Sequence, residues 1–259
     1  MKHPEKISQI ISLLNKEFPG PEPKPSKSDP LDVLIATMLS QNTTDKTSYR
    51  AFLNLKNDIG DWNAVEKTSV AKIKKAIKVC GLANQKSLNI KKLLKNLKKE
   101  HGKLTLNYIK KLDNNEIYRD LLRYNGVGIK TISCVIAFGL GRDVFPVDTH
   151  VHRLANRLGL AHAKTPDKTF EQMNKIIPEG KKFLLHTLLI KFGRKICRSR
   201  NPMCGNCVLY ELCEFSDKES YFSSQQPNFL SFPAVPRDAV GEGRSGVPRE
   251  NNFIILEHV

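Results

Sequence analysis

Apolar residues recur along this chain at the spacing of one helix face, and the elements they predict are all α-helical. Over residues 4–18 the pattern is Ile7, Ile10, Ile11, Leu14 and Phe18. The run Pro19-Gly20-Pro21-Glu22-Pro23-Lys24-Pro25 cannot continue that helix and reads as an extended linker. Asp29-Pro30 then supplies a cap and a first-turn proline, opening a buried helix through Leu31, Leu34, Ile35, Met38 and Leu39. This helix stops at a polar corner, Ser40-Gln41-Asn42-Thr43-Thr44-Asp45.

Residues 46–123 carry three or four further amphipathic patterns, and within them Cys80-Gly81-Leu82-Ala83-Asn84 separates two helices at a glycine. A second break, Gly126-Val127-Gly128, follows a helix predicted to end near Tyr124 and precedes one that restarts at Ile129 and buries Ile132, Val135, Ile136 and Phe138. Cys134 lies on that apolar face and reads as core packing. Residues 149–159, 166–177 and 181–193 give three more helices. From 216 onward Ser, Gln, Pro and Gly dominate, which predicts a largely disordered tail over 216–259.

Charge changes the picture. The chain of 259 residues has a formal net charge of +16 and a pI near 9.6. The tail holds four basic and six acidic residues, so its −2 leaves +18 on residues 1–215. Such a body calls for a polyanionic partner. Membranes are anionic too, but no apolar run approaches spanning length and Met1-Lys2-His3-Pro4-Glu5-Lys6 opens no signal peptide, so an intracellular protein is expected. The densest lysines, between 72 and 111, are spread around their helices and read mostly as a solvated face.

Two sets of residues carry chemistry. Glycines at 126 and 128 permit a tight reversal, and the restarted helix offers backbone N–H groups to an anion such as phosphate. Lys130 sits at that helix start, the unfavourable end of the dipole for an ammonium, and a free lysine amine is the nucleophile that makes Schiff bases. Asp148 occupies the N-cap position of the next helix, where a carboxylate could stabilise a developing cation. Each has a structural reading as well: a plain turn, a surface lysine, a cap. The second set is Cys197, Cys204, Cys207 and Cys213, spaced C-x6-C-x2-C-x5-C in one loop-rich stretch. Four such thiolates can hold zinc or an iron–sulfur cluster, and only one C-x-x-C pair is present where a zinc ribbon presents two.

The run Gly126-Val127-Gly128-Ile129-Lys130-Thr131, with Pro146-Val147-Asp148-Thr149-His150 after it, resembles the helix-hairpin-helix and Gly/Pro/Asp signature of the endonuclease III family of DNA glycosylases. Asn125 departs from the proline usual in the family, and asparagine tolerates turn geometry. The resemblance covers roughly residues 1–215. It implies an all-α, two-lobed fold: a six-helix module over 26–138, and a second lobe joining 1–25 to 139–215 with the cysteine loop. It further implies that the cysteine spacing is that of a [4Fe–4S] cluster, that Lys130 attacks C1′ of a damaged nucleotide and that Asp148 supports the reaction. Gly126, Val127 and Gly128 would grip phosphate.

Extruding a base leaves a gap that a side chain must fill. By resemblance the filling glutamine aligns on Asn42, with Gln41 one residue early, and Leu82 is the candidate wedge from the other loop. His150 and His152 sit beside Asp148, and His150 is a further candidate DNA contact. The expected function is a monomeric, bifunctional DNA glycosylase and abasic-site lyase acting on double-stranded DNA that contains a damaged base, an oxidised pyrimidine, or an abasic site. Two rivals stand beside it: a mismatch glycosylase for thymine opposite guanine on the same scaffold, and a non-catalytic helix-hairpin-helix DNA-binding module.

Overall fold

The computed structural model describes residues 2–25 and 27–225. Its α-helices are α1 (His3–Glu17), α2 (Pro30–Ser40), α3 (Asp45–Asp58), α4 (Trp62–Lys67), α5 (Val70–Ala76), α6 (Ala83–His101), α7 (Asn114–Leu121), α8 (Ile129–Cys134), α9 (Thr149–Arg157), α10 (Pro166–Ile176), α11 (Lys182–Lys195) and α12 (Lys218–Ser223), and no strand occurs among the described residues. The polar residues ahead of the apolar runs act as caps. Asp29, Thr44, Asp61, Ser69, Asp113, Asp148 and Thr165 each accept a first-turn amide of the helix they precede, a contribution of about 1 kcal/mol apiece.

Residues 46–123 hold five helices where periodicity suggests three or four. The reason is length: α4 and α5 span six and seven residues, under two turns, too few to carry a helical period. The helix before the hairpin ends at Leu121, not near Tyr124. Tyr124 instead swings into the core, 3% exposed, and its backbone joins the turn by accepting from Val127 N at 3.1 Å.

Two apolar cores form. The first gathers the buried faces of α2, α3, α6 and α8 with the π-helical turn Val135–Gly139 that prolongs α8. The second gathers α1, α9, α10 and α11 with Leu209 of the cysteine loop. α11 serves both, because its Phe183 packs edge-on against Phe138 of the first core, ring centroids 5.3 Å apart. At the far end Lys6 of α1 pairs with Glu214, just past Cys213, at 2.6 Å. The Glu214 carboxylate lies against Gly159, at φ +63°, where a Cβ would collide with it.

The expected tail begins with structure. α12 packs Phe222 against Tyr210, and Gln225 donates to Pro202 O at 2.8 Å while accepting from Gly205 N at 3.0 Å. The rest of the predicted tail, 226–259, lies outside the described residues. No described helix is long and apolar enough to cross a membrane.

Candidate active site

Lys130 is placed by the hairpin. Gly126 adopts φ +82°, which an L side chain rarely tolerates, and a Cβ there would fall 2.5 Å from Asn89 Nδ2. Gly128 is extended at φ −113°, so only the first glycine of the pair is required by its backbone angle. Gly128 caps α8 without any side-chain bond to its leading amides. Further along, Ser133 donates to Ile129 O at 2.9 Å and meets Tyr118 Oη at 2.7 Å, fixing the helix that carries Lys130. The half-buried Lys130 reaches Cys134 one turn on. Burial pushes the Cys134 thiol up, and the positive charge of Lys130 opposes that rise.

Asp148 is placed by a loop pinned along its length. Arg142 donates to Leu112 O and Asn114 Oδ1, each at 2.9 Å. Asp143 accepts from Gly180 N and Phe183 N, at 2.7 and 2.9 Å, tying the loop to the start of α11. His186 Nδ1 lies 2.8 Å from Pro146 O, so that nitrogen is the donor. Phe145 and Val147 are buried. The Asp148 side chain then accepts from Val151 N at 2.7 Å, opening α9.

These two placements meet. Lys130 and Asp148 line one cleft of about 730 Å³ together with the corner Ser40–Asp45 and with Thr149, His150, Pro166 and Arg194. Its walls come from both cores, and Arg194 of α11 spans them by pairing with Asp45 at 2.8 Å. Gln41 and Asn42 both line the cleft. Gln41 Nε2 donates to Gly126 O at 2.9 Å, so the corner leans on the hairpin, while Asn42 stands exposed at φ +53°. His150 is half-buried, its Nδ1 3.2 Å from Arg153 Nη2. Burial holds its pKa below the ordinary histidine range, against the pull of the Asp148 carboxylate. His152 faces the adjoining groove, 2.7 Å from Thr169 Oγ1. Leu82 is not on the cleft wall. It caps α6 in the left-handed conformation and is 58% exposed, so it is not an interior helix contact.

The four cysteines line a separate, small apolar cavity of about 20 Å³ beneath α9 and α11. All four are free thiols. Arg157 Nη1 donates to Cys197 Sγ at 3.3 Å, and the amides of Leu209 and Phe215 reach the sulfurs of Cys207 and Cys213. Burial pushes Cys207 up to about 12 and raises Cys204 and Cys213. Among the described residues no three such ligands close around a single-ion position. A donor set of four sulfurs facing one shared cavity, with a guanidinium and two amides directed at them, fits a thiolate-held metal group.

The sequence missed several parts of this site. Arg194 of α11 faces the cleft, and only its helical phase could have signalled that. Arg153 donates to Cys197 O at 2.8 Å and Arg157 stacks over Phe215 at 4.1 Å, contacts that no local pattern announces.

A glycine hairpin that brings a lysine to a cleft between two helical cores, where an aspartate at a helix start also lies, is the arrangement of a helix-hairpin-helix protein. The chain belongs to the HhH-GPD superfamily of base excision DNA repair proteins, whose model matches residues 35–179, and within it to the endonuclease III family. A protein of Arabidopsis thaliana, provisionally named a DNA glycosylase, is 41% identical over 179 residues, 68% of this chain; the chain spans only 58% of that plant protein. Endonuclease III of Thermotoga maritima is 32% identical over 209 residues, 81% of this chain and 92% of the relative. A trapped covalent endonuclease III–DNA intermediate, an estranged-adenine complex, superposes with a TM-score of 0.72 at 26% identity, covering 85% of this chain and all of the other.

Proposed function

We propose that this base excision DNA glycosylase is bifunctional: it removes an oxidised pyrimidine from duplex DNA and then cleaves the strand as an abasic-site lyase. The observation that carries the reading is that Lys130 and Asp148 line one cleft together with the Gln41–Asn42 corner. The hairpin and the basic body hold the DNA, and the damaged nucleotide leaves the stack for the cleft. The unprotonated Lys130 amine attacks C1′ as the bond from C1′ to the base breaks; the base departs with the electron pair and takes up a proton. Asp148 offsets positive charge growing on the sugar. Ring opening gives a Schiff base between Lys130 and C1′. This acidifies the C2′ proton, whose removal expels the 3′ phosphate by β-elimination, and water then releases the sugar and restores the amine.

Cys197, Cys204, Cys207 and Cys213 would hold a [4Fe–4S] cluster. When bound, it supplies cross-linking that fixes the basic loop around Arg198 and Arg200 against phosphate, with no redox step. Purified protein is expected to be brown with a broad visible absorbance and to contain iron and sulfide. Each cysteine replaced singly by alanine should lose colour and thermal stability together. A colourless, zinc-loaded protein would refute the cluster.

The function is tested with a panel of duplexes, each carrying one lesion, incubated with and without borohydride. Cleavage of an oxidised pyrimidine with a trapped adduct is the expected result. Action confined to thymine opposite guanine would favour the mismatch rival, and salt-sensitive binding without cleavage the non-catalytic one.

A further inference from the structure

One buried charge takes no part in the chemistry above. Lys86, near the start of α6, is 4% exposed, and burial holds its ammonium below the ordinary lysine range. A buried cation is costly unless its donors are filled. Here Nζ donates to Leu39 O at 2.7 Å and to Cys80 O at 3.0 Å, and lies 3.7 Å from Cys80 Sγ. Three ammonium hydrogens thus find three acceptors.

The two carbonyls belong to separate segments. Leu39 lies in the last turn of α2, two residues before Gln41; Cys80 closes the 3₁₀ turn Lys78–Cys80, two residues before Leu82. Both are helix ends, where carbonyls lack partners within the helix and a cation is favoured. Beyond each, the chain turns through a left-handed non-glycine residue that stands exposed, Asn42 at φ +53° and Leu82 at φ +46°. The next turn of α6 touches a third segment. Asn89 packs against Gly126, whose carbonyl accepts from Gln41. One short stretch of α6 therefore bears on the Gln41–Asn42 corner, the Gly81–Leu82 loop and the hairpin.

We propose that Lys86 is a positioning residue that locks the Gln41–Asn42 and Gly81–Leu82 loops at one separation, so that both enter the duplex as a unit. The inference rests on the reading of these loops as the wedges that fill the gap left by an extruded nucleotide. Without the ammonium, the two carbonyls lose their common partner and each loop orients alone. The hairpin and cleft still bind DNA.

The test uses the full-length protein and a duplex in which 2-aminopurine faces a tetrahydrofuran abasic analogue. That duplex resists cleavage and brightens when the opposite base unstacks. Wild type at saturation is expected to raise the fluorescence several-fold. Lys86→Met is expected to lose at least half of that rise, with the affinity measured by anisotropy changed less than threefold and the far-UV spectrum intact; Cys80→Ala, which spares both carbonyl bonds, keeps it. Gln41→Ala, Leu82→Ala and their double variant report the same coupling in a background that keeps Lys86, and so decide the matter even if Lys86→Met does not fold. Locked loops make the double variant no worse than the more affected single one. Additive losses, or a full rise in folded Lys86→Met, overturn the clamp alone. No rise with wild type, or full rises in both single variants, overturns the wedge reading and the clamp with it.

Discussion

Lys130→Ala is expected to slow strand cleavage at an abasic site by at least about a thousandfold while leaving affinity for the same DNA within about threefold. The argument is chemical. Among the residues lining the cleft Lys130 is the one lysine, and the other cation there, Arg194, is engaged with Asp45 and is no nucleophile at neutral pH. A Schiff base can therefore form at one place in the cleft. DNA binding, on the proposed function, draws on different groups: the hairpin backbone, the Gln41–Asn42 corner and the basic body. Because Lys130 is half-exposed, its loss removes little packing, so the variant should melt close to wild type. Gel assays of nicking and anisotropy of binding, run on the same preparation, separate the two effects. A parallel fall in both would assign Lys130 to binding.

Asp148→Asn is expected to cost activity on the order of a hundredfold to a thousandfold and stability no more than about 1 kcal/mol. Asp148 has two jobs in one side chain. As the cap of α9 it accepts from Val151 N at 2.7 Å, and an asparagine oxygen can accept the same bond. As the carboxylate of the cleft it would, on the proposed mechanism, support positive charge on the sugar, which a neutral amide cannot do. The substitution therefore splits the jobs. Loss of rate with an almost unchanged melting temperature is the expected outcome, while equal losses in Asp148→Asn and Asp148→Ala, with melting lowered in both, would reduce Asp148 to a cap.

Much of this site is legible in the sequence because its signals are local. The two hairpin glycines, the lysine two residues on, the Pro-Val-Asp run and the cysteine spacing are short patterns whose residue types restrict what the backbone can do. The long helices are legible for the same reason; α1, α2 and α11 fall within two residues of the expected bounds. What escaped is tertiary. Lys86 is one of many lysines in a stretch that looks like a solvated face, and nothing near it in sequence says that its ammonium meets the end of α2. Gln41 is recognisable as part of a polar corner, yet its bond to Gly126 spans most of the first core. The Lys6–Glu214 pair joins the two ends of the fold and could not be read from either end. The start of the tail misled for another reason: Phe215, Tyr221 and Phe222 are too few to show a period, but they have aromatic partners once the cysteine loop is in place.

The central claim is that the amine at the mouth of the hairpin becomes covalently joined to the sugar. Its most direct test is borohydride reduction of the protein on abasic duplex DNA, followed by digestion and mass mapping of the modified peptide. The account predicts a single sugar remnant on Lys130. A remnant on another amine, or strand cleavage with no adduct, would contradict it.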